Sequence, residues 1–357
     1  MAEIDPALAR YHRQMLLPGI GEAGQRMLGA SHVLIVGCGA LGCVAADALA
    51  RAGVGRLTLV DRDVVEITNL QRQILYTEQD ARDGIPKAQA AANRLRAVNS
   101  QITIDPVIAD LNARNVERFV QPVAAVVDAT DNFQTRYLLN DACVKLNRPL
   151  VYGGVVGTAG MTMTILPGRT PCLRCIFPEP PPPGSSPTCD TSGVLGPMVN
   201  VVASIQAAEA LKVLLGRADL LRPVLSQFDI WNNQRHTIDL ASIDRSACIC
   251  CAKRTFEFLE GDRSDSGTAA LCGTDSVQVL PDASAHRFDL ATLATRLAPH
   301  GAFSTTQHFL RGQLASEKNR TTGAPIELTV FPDGRAIVKG TTDPAAARSI
   351  YAKYIGT

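Results

Sequence analysis

The chain reads as a doubly wound α/β domain followed by a small α+β module. Two observations carry that reading. Short β-branched apolar runs alternate with helical segments of about a dozen residues across the first half of the chain, the pattern of a parallel sheet covered by helices. A polar, small-residue stretch, GDRSDSG at 261–267, then separates a second series of strand and helix signals. The length of 357 residues suits one large α/β domain with a smaller companion.

The elements follow in order. HVLIV from His32 is a strand, GCGALG a glycine turn, and the Ala-rich segment after it a helix that leads into a second strand ending at Asp61. Lys87 to Val98 predicts a helix, Ile102 to Ile108 a strand, Ala124 to Val127 a further strand, Arg136 to Leu146 a helix and Pro149 to Val156 a strand. PEPPPPGSSP, from Pro178, must be loop, because consecutive prolines fit neither a helix interior nor a central strand. That loop is expected over 178–198. Helical periodicity resumes from Val199 to Leu215, and a strand meander from Val224 to Leu240 leads to a cysteine cluster. The larger domain is thus expected over 1–254, a linker over 255–269 and the module over 270–357. Within the module, strands are expected at Val277 to Leu280, near Phe303 to Phe309, at Ile326 to Phe331 and at Ala336 to Lys339, with helices at Leu290 to Leu297 and Pro344 to Tyr354.

Composition excludes several classes. Lys plus Arg number 35 against 34 Asp plus Glu, a formal charge of +1, so no bulk electrostatic attraction to nucleic acid is expected. No run reaches the roughly 18 apolar residues of a membrane span. The candidate Val199 to Gly216 carries Asn200, Gln206, Glu209 and Lys212. The opening residues Glu3, Asp5, Arg10, His12 and Arg13 interrupt any signal-peptide core, so a cytoplasmic location is expected. In that compartment the 10 cysteines read as metal ligands and nucleophiles before disulfides.

Gly37, Gly39 and Gly42 form GxGxxG between a strand and a helix, where backbone N–H groups approach phosphates, and Asp61 at the end of the next strand is placed for a ribose. Alone this Rossmann-like fingerprint suits NAD or FAD. The residues that follow point elsewhere. Asp63, Asn69, Arg72, Lys87 and Asp131 gather at the carboxyl ends of successive strands, with Leu70, Gln71 and Gln73 flanking Arg72 in NLQRQ and Asn132 following Asp131. Hydride transfer does not require an Arg, a Lys and an extra Asp there. Attack on a triphosphate does, because cations neutralise developing charge and an acid holds Mg²⁺. Asp131 also reads as a possible N-cap of the next helix.

Cys172-Leu-Arg-Cys175 and Cys248-Ile-Cys-Cys251 are two CxxC knuckles, the spacing of a closed, structural Zn²⁺ site in which four thiolates staple a chain segment to the domain. Cys189, in TCDTSGV after the proline run, is a candidate nucleophile in a loop. Cys38, Cys43 and Cys143 read as packing residues, and Cys272 as packing or a sulfur relay.

RYHRQMLLPGIGEAGQRML, GCGALG, LTLVDRD, TNLQRQ, DATDNFQTRYLLNDAC, PCLRC and TCDTSGVLGPMV together resemble the ThiF/MoeB family, bacterial relatives of ubiquitin-activating enzymes, over about Arg10 to Cys251. The resemblance implies ATP-dependent adenylation of the C-terminal glycine of a ubiquitin-like sulfur-carrier protein, of ThiS or MoaD type and ending in Gly-Gly, with release of pyrophosphate. It implies that Ala40 and the flanking glycines contact the nucleotide through the backbone and that Asp61 holds the ribose. It implies that Asn69, Arg72 and Lys87 meet the phosphates, that Asp131 holds Mg²⁺, and that Arg13 reaches the partner's site in a homodimer. Cys189 matches a cysteine that reacts in some relatives. Ala40 stands where many members have glycine, a departure expected to matter little at a negative φ. A non-catalytic scaffold subunit and an NAD-dependent oxidoreductase are the competing readings.

Overall fold

The computed structural model describes residues 5–181, 192–260, 268–271, 276–279, 288–319 and 322–356. The chain divides into two units, Met1–Ser264 and Asp265–Thr357.

The first unit is built on an eight-stranded sheet. Its strands are β1 (His32–Val36), β2 (Arg56–Asp61), β3 (Thr103–Ile108), β4 (Ala125–Asp128), β5 (Leu150–Val156), β6 (Ala159–Ile165), β7 (Val224–Asp229) and β8 (Gln234–Asp239), in the order β3-β2-β1-β4-β5-β6-β7-β8. Neighbours from β3 to β5 run parallel, and β5 to β8 pair antiparallel. Strand alternation divides the core between the two faces. Val33 and Ile35 of β1 join one apolar cluster with the helices Ala40–Arg51, Lys87–Val98 and Gly196–Leu214. Leu34 and Val36 join the other, with helix Phe133–Lys145. Side chains that alternate between two buried faces explain why β1 reads as an unbroken apolar run.

Chain order reverses at β1, which lies between β2 and β4. That reversal opens a crevice at the carboxyl ends of β1 and β4, where doubly wound sheets take ligands.

Three sequence expectations need correction. β6 was not expected, because its AGMTMTI stretch contains Gly160 and has Ile165 as its only β-branched apolar residue. Gly160 is small for a packing reason: a Cβ there would lie 2.6 Å from Val202 Cγ2 on helix Gly196–Leu214. That helix also begins earlier than periodicity suggested, with a proline in its first turn, so the expected loop 178–198 loses its last three residues to it. The expected linker 255–269 is not linker at its start. Phe256, Phe258 and Leu259 are buried in the second core, and the Phe258 ring lies 4.9 Å from that of Tyr137.

The second unit is a six-stranded antiparallel sheet in the order β11-β12-β13-β14-β10-β9, comprising β9 (Thr268–Leu271), β10 (Ser276–Val279), β11 (Gly301–Thr305), β12 (Leu310–Lys318), β13 (Pro325–Val330) and β14 (Ala336–Lys339). Helices Leu290–Leu297 and Pro344–Tyr354 bury Leu293, Leu297, Ile350 and Tyr351 with Leu310, Leu328 and Val338 of the sheet. Asp289 and Asp343 cap the two helices. β9 and β12 are strands the sequence pattern did not announce. In β12 only Leu310 and Leu314 are buried among polar neighbours, too sparse an alternation to read alone.

Candidate functional site

The glycine loop closes on itself sterically. Gly37 has φ 90°, and a Cβ there would meet the Ala129 carbonyl oxygen at 2.6 Å. A Cβ on Gly42 would stand 1.8 Å from the Gly37 carbonyl oxygen. Gly39 is different: its nearest outside atom is Gln73 Nε2 at 4.0 Å, so its missing side chain leaves open space beside the loop. Ala40 opens helix Ala40–Arg51 in ordinary right-handed backbone, and Gly39 offers no side-chain cap. First-turn N–H groups therefore face the crevice, a ready anion site.

Asp61 does more than wait for a ligand. Its Oδ2 accepts from the Cys38 N–H at 2.6 Å and its Oδ1 from the Asp63 N–H at 2.7 Å, which ties the loop to the end of β2. Burial pushes this carboxyl above its usual range, and nearby Asp63 adds to the shift. Remaining lone pairs on a carboxylate still suit a ribose hydroxyl. Tyr76, which sequence reasoning missed, donates from its hydroxyl to the Cys38 carbonyl at 2.6 Å.

Backbone pairing brings the lysine in. Val64 and Pro86 form an antiparallel bridge, and the Lys87 N–H donates to the Asp63 carbonyl at 2.8 Å. The Lys87 ammonium then lies 3.1 Å from Asp63 Oδ2, with its side chain only 10% exposed. Burial alone would pull the ammonium down, but Asp63 and Asp61 outweigh it and hold Lys87 firmly protonated, with Asp131 also contributing. Lys87, Asp61, Asp63 and Asp131 thus share one electrostatic neighbourhood.

The NLQRQ segment reaches the glycine loop through Gln73. Asn69 is buried and accepts from the Glu66 N–H at 3.1 Å, Leu70 packs against the first core, and Arg72 donates to the Thr68 carbonyl at 3.0 Å. Gln71 is exposed, whereas Gln73 is buried with its Oε1 unpaired and its amide facing Gly39. Asp131 is exposed, and the N-cap of helix Phe133–Lys145 is Asn132, which accepts from the Thr135 N–H at 2.9 Å. The capping alternative for Asp131 therefore falls to its neighbour.

A buried brace behind Asp131 was also missed. Asp128, at the end of β4, accepts from the Thr130 N–H at 3.0 Å and the Thr130 hydroxyl at 2.6 Å, and lies 3.4 Å from Arg136 Nε. Arg136 Nη2 in turn donates to the Thr130 carbonyl at 2.7 Å. The signal available in the sequence was an Asp at a strand end followed by Thr two residues on and Arg eight residues on.

Arg13 is exposed on the short helix His12–Met15. Gln14 anchors that helix through the Ala52 carbonyl at 3.0 Å and Gln25 Oε1 at 2.7 Å. Cys189 and Cys272 lie outside the described residues.

Cys172, Cys175, Cys248 and Cys251 come together with all four sulfurs within 4.8 Å of one another. Neighbouring Sγ pairs stand 3.8, 3.7 and 3.4 Å apart. Tetrahedral ligands at a Zn–S distance of about 2.3 Å are separated by about 3.8 Å, so the donor set fits a zinc ion. Cys250 is not part of the cluster: it is buried and accepts from Asn140 Nδ2 at 3.3 Å.

The crevice combines an uncapped helix N-terminus, buried and partly exposed cations and clustered carboxylates, an arrangement for binding and neutralising a polyphosphate. Residues 11–250 match the ThiF family. A protein of Bacillus subtilis (strain 168) named sulfur carrier protein ThiS adenylyltransferase is 41% identical over 347 residues, 97% of this chain and 99% of that protein. A sulfur carrier protein adenylyltransferase of Thermus thermophilus is 47% identical over 214 residues, 58% of this chain and 78% of that protein. The solved structure of E. coli MccB with AMPCPP and MccA shares the fold, with a TM-score of 0.60 and 23% identity over 70% of this chain and 75% of that chain.

Proposed function

This chain belongs to the ThiF family, and from that premise we propose that it adenylates the C-terminal glycine carboxylate of a ubiquitin-like sulfur-carrier protein. ATP is the co-substrate and pyrophosphate the leaving group. The product is a carrier activated for sulfur transfer in thiamine, molybdopterin or related sulfur-metabolite biosynthesis. The observation that carries the reading is the Val64–Pro86 bridge, which sets the Lys87 ammonium against Asp63 beside an uncapped helix N-terminus.

A peptide carboxylate titrates at about 3.3 to 3.7 and is already ionised at neutral pH, so the reaction requires no general base. Positioning and charge are what the protein supplies. Gly37, Gly39, Ala40 and Gly42 present backbone to the phosphates, and Asp61 meets the ribose. Arg72 and Lys87 absorb charge on the phosphate oxygens. Asp131 is the residue that would hold magnesium bound with the triphosphate, and the ion would supply charge neutralisation at the leaving pyrophosphate. In a homodimer, Arg13 completes the partner's site. Cys172, Cys175, Cys248 and Cys251 would hold a structural zinc, and Cys189 is the candidate nucleophile, whose thiolate attack on the carrier acyl-adenylate would form a thioester and release AMP.

Mixing the protein with carriers ending in Gly-Gly and with ATP, then reading intact mass, tests the reading. A carrier heavier by one adenylyl group supports it, and an unchanged mass with every carrier sinks it. Mg²⁺ with ATP should raise the melting temperature while NAD leaves it in place, the reverse of an oxidoreductase. Arg72→Ala and Asp131→Ala are each expected to cut carrier-dependent pyrophosphate exchange by about 100-fold with circular dichroism unchanged.

A further inference from the structure

One charged pair at the mouth of the crevice has no part in the mechanism above. Arg62 lies between Asp61 and Asp63 at the end of β2, and Asp110 follows the neighbouring strand β3. Arg62 Nη1 donates to Asp110 Oδ1 at 2.7 Å, and Arg62 Nε lies 3.9 Å from Asp63 Oδ1. The two side chains are 21% and 12% exposed, so this is not a solvated surface bridge but a largely buried pair in which Arg62 keeps some solvent exposure.

Asp110 is itself held in place. Its carbonyl accepts from Asn115 Nδ2 at 2.8 Å, and Asn115 Oδ1 accepts from the Asn112 N–H at 3.0 Å. The turn leaving β3 is thus closed by asparagine side chains, and through Asp110 it sets the orientation of the guanidinium.

Topology says what passes over that guanidinium. Phosphates lie at the N-terminus of helix Ala40–Arg51, after β1, and the ribose lies at the end of β2, where Asp61 is. Chain order continues outward to β3, so a base attached to that ribose extends over the ends of β2 and β3. A planar guanidinium stacks on π faces, which a lysine ammonium in the same place does less well. Lys87 and Arg72 already serve the phosphate side.

We propose that Arg62, oriented by Asp110, is the base platform of the nucleotide site and stacks on the purine ring of the bound nucleotide. The proposal rests on the ATP-using reading above. Stacking on a π face is tolerant of ring substituents, so Arg62 contributes affinity for purines in general and not adenine selection. Asp110 acts as a positioning residue.

The experiment compares ATP, GTP and inorganic tripolyphosphate as magnesium complexes on wild type, Arg62→Met, Arg62→Lys and Asp110→Asn. Arg62→Met is expected to raise the KM for ATP by about 3- to 30-fold with kcat nearly unchanged. The inhibition constant of tripolyphosphate, which has no base, should stay within about twofold, and GTP affinity should fall alongside that of ATP. Asp110→Asn should give a smaller KM effect in the same direction, and Arg62→Lys an intermediate one. An unchanged KM for ATP overturns the proposal. So does a parallel loss of tripolyphosphate affinity, which would make Arg62 a phosphate ligand, or a fall in kcat at constant KM. A wild-type protein that binds no ATP defeats the adenylating reading itself, a result distinct from all of these. Matching melting temperatures of the free proteins exclude a folding effect.

Discussion

The Asp61 carboxylate grips the glycine loop, accepting the Cys38 N–H at 2.6 Å across the gap between β2 and the turn after β1. The residue proposed to hold the ribose therefore also shapes the glycine loop proposed to take the phosphates. Asp61→Asn replaces one acceptor by an amide donor facing a backbone donor. Expected is a loss of about 1–3 kcal/mol in stability together with a reduced melting-temperature rise on adding ATP. Chemical denaturation with and without nucleotide measures both, and an asparagine variant equal to wild type in both would remove Asp61 from this role.

The three glycines of the loop should separate by mutation. Gly42→Ala places a Cβ 1.8 Å from a backbone oxygen. Backbone cannot move aside cheaply, so the variant should lose about 3 kcal/mol or more. Gly39→Ala meets nothing closer than 4.0 Å and should fold as wild type. On the proposed function the space it fills is where the nucleotide binds, so its cost should appear in the KM for ATP. Urea denaturation paired with pyrophosphate exchange distinguishes the two classes, and equal stability losses at Gly39 and Gly42 would contradict the geometry.

Removing the metal should free the arm that follows β8. The cysteine cluster joins residues 172–175 to 248–251, and the buried Phe256, Phe258 and Leu259 lie just beyond it. Protein purified without chelator should carry about one zinc per chain. Cys172→Ser should abolish that binding and lower the melting temperature, whereas Cys250→Ser should leave metal content intact because Cys250 stands outside the cluster. Elemental analysis of the two variants decides, and metal loss from Cys250→Ser would reassign the ligand set.

Asp128 should leave a mark on the pH dependence of stability. Burial raises its carboxyl above the usual range, and Arg136 with the Thr130 hydrogen bonds offsets only part of that. A raised folded value means that the native state binds more protons through the interval above about 3.9. The contribution of this group is then fully present below the unfolded value and is lost as pH rises through the folded one. Asp128→Asn removes this titration, so the stability gap between wild type and variant should narrow from pH 4 towards pH 7. Denaturation curves across that range check it, and a gap that widens with pH reverses the sign.

Much of the fold was legible because its signals are local. β1, β2 and the helix Lys87–Val98 come from uninterrupted apolar runs and helical spacing, and the two knuckles from cysteine spacing. What escaped has a common cause. β6 and β12 carry glycine, threonine and charged residues, and each is held as a strand by its neighbours in the sheet. The helix Glu257–Glu260 follows the cysteine knuckle and sets Phe258 against Tyr137, more than a hundred positions upstream. No local pattern encodes such a contact.

The same division runs through the site. By itself the sequence determined its chemical inventory: a glycine turn, an arginine and a lysine after the second strand, acids at strand ends and two cysteine pairs, each recognisable from residue type and short spacing. Only the tertiary structure decided how the inventory is used. It committed Asp61 to holding the loop, passed the helix cap from Asp131 to Asn132, left Cys250 out of the four-cysteine cluster and joined Arg62 to Asp110. Those decisions belong to hydrogen bonds and burial between segments distant in the chain, which a linear spacing of residues does not contain.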